Sequence, residues 1–471
     1  MKKNIKNFIC LILTLIICSS CSPIQLTIEN LITAPKLTGE FEEINKALKS
    51  FAGENITLKY PKSGEFRSPF IMYDIDGDNQ KEAIVFYVDN NENDIRFNVL
   101  DKVNDSWINV FSTIGPGVDV EKILISNILD TKNDQIIVNW IKPNKIERSL
   151  EIYNYENDDF KCIYNKDYLT DVFLFDIDDD SKDELIIIDR TLKVTPNAVV
   201  IKKDEESDEL CEDSYVRLRS GPLGYEKITL GKLANNVNAL FLDARIEDQE
   251  IDNFSLYTEV IVSKDHELMN LFFIQHKNKQ LFNINSNNLT QQLENILLDQ
   301  SLRSREIFCR DIDNDSIIEV PKDLTVHYNF KLNNKSEALP LTVWQKYTDK
   351  GWDPSIISVE NIKDGYSFIF PDNWYELKNI NGYLENKEIT PLVVSVYNEK
   401  NDELIFKTND KDQKEIMSIK VINTSETPLK GYLEIKRKNN FIYCVKTNYK
   451  NNDYKITLNE IKKCFSIIYG G

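Results

Sequence analysis

Three nine-residue stretches share one arrangement of acids, and few folds can absorb it. They are Asp74-Ile-Asp76-Gly-Asp78-Asn-Gln-Lys-Glu82, Asp176-Ile-Asp178-Asp-Asp180-Ser-Lys-Asp-Glu184 and Asp311-Ile-Asp313-Asn-Asp315-Ser-Ile-Ile-Glu319. Carboxylates stand at positions 1, 3, 5 and 9 of each. Acids so close repel one another unless a cation sits among them. Ca²⁺ takes several oxygen ligands at about 2.3–2.6 Å and tolerates irregular geometry. Zn²⁺ prefers nitrogen and sulfur. The three stretches therefore read as calcium loops.

They are not EF-hand loops, which place a bidentate glutamate at position 12 between two helices. Position 12 here is Val85, Ile187 and Lys322. The flanks are short β-branched and aromatic runs, Pro69–Tyr73 and Ala83–Tyr87 around the first loop, Val172–Phe175 and Leu185–Ile188 around the second. Such runs read as buried strands, so each loop is expected to join two strands. Gly77, Asp179 and Asn314 occupy position 4, where a left-handed residue is tolerated.

Strand, Asp-x-Asp-x-Asp-x-x-x-Glu, strand resembles the calcium loop of FG-GAP (VCBS-type) repeats, the blade unit of integrin-alpha-like β-propellers. The resemblance implies side-chain ligands Asp74, Asp76, Asp78 and Glu82, then Asp176, Asp178, Asp180 and Glu184, then Asp311, Asp313, Asp315 and Glu319. It also implies backbone carbonyl ligands at position 7, from Gln80, Lys182 and Ile317. The family's glycines at positions 4 and 6 survive here only as Gly77.

The same frame recurs without its acids at Asn127–Gln135 and Gly231–Ala239, each followed by a short apolar run and preceded by a Gly-Pro pair (Gly115-Pro116 and Gly221-Pro222). Neither copy has the ligands to hold Ca²⁺. Loop starts at 74, 127, 176, 231 and 311 lie 53, 49, 55 and 80 residues apart. A unit near fifty residues fits a four-stranded blade. The long interval holds an insertion with helical spacing at Leu289–Leu298. The expected fold is mainly β, a β-propeller of about five four-stranded blades over 55–358, plus a small α+β domain over 359–471. That last region, opening with Gly365-Tyr-Ser-Phe-Ile-Phe-Pro371 and Trp374, resembles the PsbP-like α+β module. It offers strands at Leu392–Tyr397, Glu403–Lys407, Glu415–Ile422 and Phe441–Thr447, and a capped helix at Thr457–Ile467.

The amino terminus reads as an export signal over residues 1–20. Lys2, Lys3 and Lys6 precede an apolar core from Phe8 to Cys18, too short for a membrane span of about 20 residues. It ends at Cys18-Ser-Ser-Cys21, which resembles a bacterial lipoprotein signal and implies lipidation of Cys21. Residues 21–54 form an anchor segment with a short amphipathic helix near Gly39–Phe51, and Ile56–Tyr60 reads as a strand closing the ring. The other cysteines, Cys162, Cys211, Cys309, Cys444 and Cys464, are scattered and read as buried thiols.

With 57 basic and 76 acidic residues the chain carries a formal charge of −19. That acidity excludes nucleic acid as a direct partner. The three histidines, His266, His276 and His327, form no metal-protease motif, and no nucleophile elbow or phosphate loop is present. The expectation is a non-catalytic lipoprotein on the extracytoplasmic face of a bacterial cell membrane. It would be tethered through Cys21 and bind an unidentified extracellular ligand or protein. The alternative is a cell-surface hydrolase with its site in the propeller channel or at the domain junction.

Overall fold

The computed structural model describes residues 39–190, 196–204, 207, 209–219, 224–247, 254–271, 301–330, 336–348, 351–379, 387–426, 430–448 and 453–468. The expected export signal, Cys21, the expected Gly221-Pro222 turn and the helix expected at 289–298 lie outside them. The chain is mainly β and divides into two compact units.

Among the described residues the first unit comprises 39–60, Pro69–Asp74 and Gln80–Ile114. Helix α1 (Glu40–Ala52) has Glu40, Glu42 and Glu43 in its first turn and Lys49 in its last, complementing the helix dipole. Its Ile44 and Leu48 are buried with Phe70, Val85, Tyr87 and Leu100. The sheet beneath is built from β1 (Ile56–Lys59), β2 (Phe70–Tyr73), β3 (Glu82–Asp89), β4 (Asp94–Val103) and β5 (Ser106–Ile114). Both β1 and β2 pair along one edge of β3, which corrects the ring-closing role expected for residues 56–60. That segment completes the sheet of its nearest neighbours in sequence.

The second unit carries three four-stranded antiparallel meanders in succession. The first is β6 (Asp119–Ser126), β7 (Gln135–Ile141), β8 (Arg148–Glu156) and β9 (Asp159–Tyr168). Next come β10 (Thr170–Phe175), β11 (Glu184–Asp189), β12 (Asn197–Lys203) and β13 (Leu210–Arg217). The third is β14 (Gly224–Lys232), β15 (Asn238–Glu247), β16 (Phe254–Lys264) and β17 (Glu267–Asn270). The middle sheet is covered on both faces. Leu185, Ile187, Val199 and Ile201 pack with Ile137, Leu150 and Ile152 of the preceding sheet. The alternate residues Ile186, Ile188, Ala198 and Val200 pack with Leu240, Leu242 and Ile261 of the following one. Period-two geometry sends neighbouring side chains to opposite faces, so a doubly covered strand must be apolar throughout. Gly115 lies so close to Trp140 that a Cβ would come within 2.5 Å of the ring.

Further along come β18 (Val320–Leu324), β19 (Ser336–Ala338), β20 (Leu341–Thr348), β21 (Gly351–Asn361) and β22 (Tyr366–Ile369). After a short hairpin of β23 (Tyr375–Asn379) and β24 (Lys387–Pro391), the chain forms β25 (Val393–Asn398), β26 (Glu403–Thr408), β27 (Glu415–Asn423), β28 (Leu433–Lys438) and β29 (Phe441–Thr447). Helix α2 (Leu458–Cys464) then leads into β30 (Phe465–Ile467). Thr457 and Glu460 form the expected capping box, but the helix stops at Cys464 because Phe465–Ile467 pair with β22. One sheet runs β18-β20-β21-β22-β30 and a six-stranded sheet runs β19-β25-β26-β27-β29-β28. Their shared core holds Leu341, Val359, Phe368, Trp374, Phe406 and Phe465. Strand β21 is continuous across residue 359, where the sequence pattern changes. Among the described residues no sheet closes on itself. The five cysteines in the described region are free thiols, Cys309 and Cys444 among them buried.

Candidate metal centre

The acidic loops sit where the sequence places them, at the entry to a buried strand. The first joins β2 to β3 and the second joins β10 to β11. The third differs from the expected strand-loop-strand frame. Its amino-terminal side is not a strand, and one bridge between Arg310 and Glu319 closes it before β18.

Backbone conformation repeats in all three. Position 4 is left-handed at Gly77, Asp179 and Asn314, with φ of 73°, 63° and 64°. Position 6 is left-handed too, at Asn79, Ser181 and Ser316, with φ of 73°, 71° and 72°. Short polar side chains tolerate this region better than most, which is how the loops manage without a second glycine. The turn aims backbone N–H groups inward. Asp176 accepts from the N–H of Asp180 and Ser181, both at 3.0 Å, and Asp311 accepts from Asp315 (3.0 Å) and Ser316 (2.8 Å). Asp180 and Asp315 accept from the N–H of Lys182 (2.8 Å) and Ile317 (2.9 Å). At position 9, Glu184 accepts from Ile177 (3.0 Å) and Glu319 from Ile312 (2.9 Å).

These restraints bring carboxylate oxygens together. Asp311, Asp313, Asp315 and Glu319 each offer an oxygen within 4.8 Å of the others. So do Asp74, Asp76 and Glu82, and likewise Asp176, Asp178 and Glu184. Asp78 and Asp180 do not join their groups, so the full four-acid set converges only in the third loop. Glu82, Glu184 and Glu319 are buried at the floor of their loops. Burial pushes the Glu184 and Glu319 carboxyls up to about 7, against the pull of their backbone hydrogen bonds. The buried Oδ1 of Asp178 has no hydrogen-bond partner. Orphaned carboxylate oxygens in an all-oxygen cluster are suited to a hard divalent cation. The acids present therefore fit Ca²⁺.

Basic side chains, absent from the sequence-derived ligand set, also reach these loops. Lys346 Nζ lies 2.9 Å from Asp313 Oδ2 and 3.1 Å from Glu319 Oε1, and it hydrogen-bonds Asp315. Burial opposes the Lys346 charge, but these three carboxylates outweigh it and hold its pKa above the ordinary lysine value. Burial likewise works against ionised Asp315, yet the Lys346 hydrogen bond and the Ile317 N–H bring its pKa below the usual range. In the second loop Lys202 Nζ is 3.3 Å from Asp178 Oδ2 and 3.9 Å from Glu184 Oε1, and His266 Nδ1 is 3.1 Å from Asp178. Register explains the two lysines. Leu185 pairs with Ile201 and Val320 with Gln345, so each lysine lies across the ladder from the position-9 glutamate.

The copy at Asn127–Gln135, acid-free only in that Asp130 and Asp134 fall outside its ligand positions, keeps the same backbone logic. Asn127 Oδ1 accepts from the Thr131 N–H at 2.9 Å, as Asp176 does from Asp180. Gln135 is fully buried, and its amide nitrogen donates to Thr131 Oγ1 (3.2 Å), the Asn133 carbonyl (2.8 Å) and Asn154 Oδ1 (3.1 Å). Those acceptors include the position-5 side chain and the position-7 carbonyl, groups that a cation would take in an acidic loop. An amide fills the place that a cation would take in the acidic loops.

Three buried acids away from the loops, Asp243, Glu259 and Glu360, are paired internally. Asp243 and Arg303, both fully buried, pair at 2.6 Å. Glu259, also buried, accepts from the Arg219 N–H, Tyr225, Tyr257 and Asn270, and burial pushes it up to about 7. A cleft of about 290 Å³ is lined by Glu306, Phe308, Arg310 and Glu360 among others. There Glu360 already accepts from Arg310 at 2.8 Å and from Ser358 and Ser367 at 2.6 Å each.

No protein-family model matches the chain, and no curated protein sequence matches it. Among solved structures, a protein from Lactobacillus plantarum aligns over 71% of this chain and 80% of its own, with 8% identity and a TM-score of 0.26. The α-L-arabinofuranosidase of Fusarium graminearum in complex with arabinobiose aligns over 84% and 98%, with 9% identity and a TM-score of 0.25. Likenesses this distant decide neither fold nor activity.

Proposed function

We propose that this chain is a non-catalytic, calcium-stabilised β-propeller module of the FG-GAP/VCBS type, followed by a PsbP-like α+β region. In this reading it is exported, anchored through a lipidated Cys21 to the extracytoplasmic face of a bacterial membrane, and presents its sheets to an extracellular ligand or protein. The observation that carries it is the recurrence of one all-oxygen cluster at the entry to the buried second strand of a repeated sheet. Face-to-face packing of successive four-stranded sheets supports the propeller. Internal saturation of Glu259, Asp243 and Glu360 favours binding over hydrolysis.

Ca²⁺ would hold the loop carboxylates together and fix the turn between paired strands. Because binding to the folded state stabilises it, a hundredfold excess over Kd contributes about 2.7 kcal/mol per site. Chelator should lower the melting temperature of the purified protein, and Asp176→Ala should remove part of that response. Identical melting curves with Ca²⁺ and with chelator would overturn the reading.

A further inference from the structure

The three acidic loops differ in what lies across the ladder from the position-9 glutamate. Beside the pair Ala83–Leu100 stand Glu82 and Asp101; beside Leu185–Ile201 stand Glu184 and Lys202; beside Val320–Gln345 stand Glu319 and Lys346. The series runs from an acid, to a lysine at the rim, to a lysine inserted among the acids. Lys202 touches only Asp178 closely and stays 3.9 Å from Glu184. Lys346 contacts Asp313, Asp315 and Glu319, and its side chain is 15% exposed.

We infer that Lys346 is a built-in counter-ion of the third loop, so that Ca²⁺ must displace an ammonium to bind there and binds more weakly than at the second loop. This rests on the calcium reading above and goes beyond it by ranking the sites and naming the residue that sets the rank. The mechanism has a precedent within the same molecule. In the acid-free loop the Gln135 amide, also helped by the residue across the ladder, satisfies the positions a cation would take. An ammonium provides up to three donors and one charge, enough to bridge the three carboxylates it meets. It supplies half the charge of Ca²⁺ without its bidentate coordination, so the loop is held but not saturated. Once displaced, the ammonium stays nearby and opposes the ion. A +1 and a +2 charge roughly 6 Å apart in water correspond to about a tenfold loss of affinity.

The test is calorimetric titration of the full chain with Ca²⁺, wild type beside Lys346→Gln. In the wild type a weaker binding class should separate from the tighter one. Lys346→Gln should tighten that class about tenfold, and Glu319→Gln should abolish it. Acylation of Lys346, followed by mass spectrometry on the wild type, provides a readout independent of any variant's folding. The amine should react slowly without Ca²⁺ and faster once millimolar Ca²⁺ releases it. Equal affinities for all sites, or unchanged titration curves in Lys346→Gln, would overturn the inference while leaving calcium binding intact. Lys346 reactivity indifferent to Ca²⁺ would overturn it as well. No binding heat in either protein would overturn the calcium reading itself, and this inference with it.

Discussion

The loops at Asp176–Glu184 and Asn127–Gln135 solve the same turn with opposite chemistry. Both enter the second strand of a four-stranded sheet, and in both the side chain at position 1 accepts the N–H of position 5. In the acid-free loop a neutral amide at position 9 gives its protons to groups around the loop centre, and the turn is complete without help. In the acidic loop a buried glutamate adds negative charge to that centre, and Asp178 keeps an oxygen with no partner. The backbone frame is thus the same in both loops, whereas the charge at its centre is not. Both position-9 side chains accept a backbone N–H, from Leu129 and Ile177, but only Gln135 also has protons to give to the loop centre.

The largest expected effect comes from breaking the self-sufficient loop. Gln135→Leu removes the two amide protons shared among Thr131 Oγ1, the Asn133 carbonyl and Asn154 Oδ1, and the acceptor that holds the Leu129 N–H at 3.0 Å. Stranding the buried Leu129 N–H, with the half-buried Asn133 and Asn154 acceptors, should cost about 3 kcal/mol in urea unfolding. The loss should be the same with Ca²⁺ and with chelator, and a loss that Ca²⁺ reverses would erase the distinction drawn above.

Next in size is a reversal of sign at Glu184→Gln. With saturating Ca²⁺ the variant loses a ligand and should be less stable by about 2 kcal/mol. In chelator at pH 8 it should match or exceed the wild type, because the amide removes a buried charge. The pH dependence follows from the same carboxyl. Its folded pKa, raised to about 7 by burial, lies above the unfolded value, so the protonated form favours the fold. Its contribution is fully present below about pH 4.3 and is lost as pH rises through 7. Metal-free wild type should therefore melt lower at pH 8 than at pH 5.5, and Glu184→Gln should flatten part of that slope.

The smallest effect concerns backbone strain. Ser316 is left-handed with φ of 72°, so Ser316→Gly should stabilise by about 0.5–1 kcal/mol with or without metal. A gain confined to Ca²⁺-loaded protein would mean that the turn forms only around the ion.

Much of this was legible in the chain. Doubly covered strands leave unbroken apolar runs such as Leu185–Ile188, and the nine-residue frame fixes the loops between them. The left-handed position 6 was hidden, because Asn79, Ser181 and Ser316 fill it without a glycine. Lys202 and Lys346 were hidden for another reason. They lie 18 and 27 residues beyond their glutamates, and only the hairpin register brings them back. The third loop lost its leading strand because residues 301–310 are held by single bridges, such as Leu256 to Arg303, rather than by a ladder.

Tyr366 pairs with Ile467, 101 positions further along the chain. During synthesis, β18 to β22 are made long before their outermost companion leaves the ribosome. Until it arrives, Phe368 and its neighbours present an open edge, the kind of surface that recruits chaperones or mispairs with another nascent chain. Fastening a sheet with so distant a segment is expected to slow its completion.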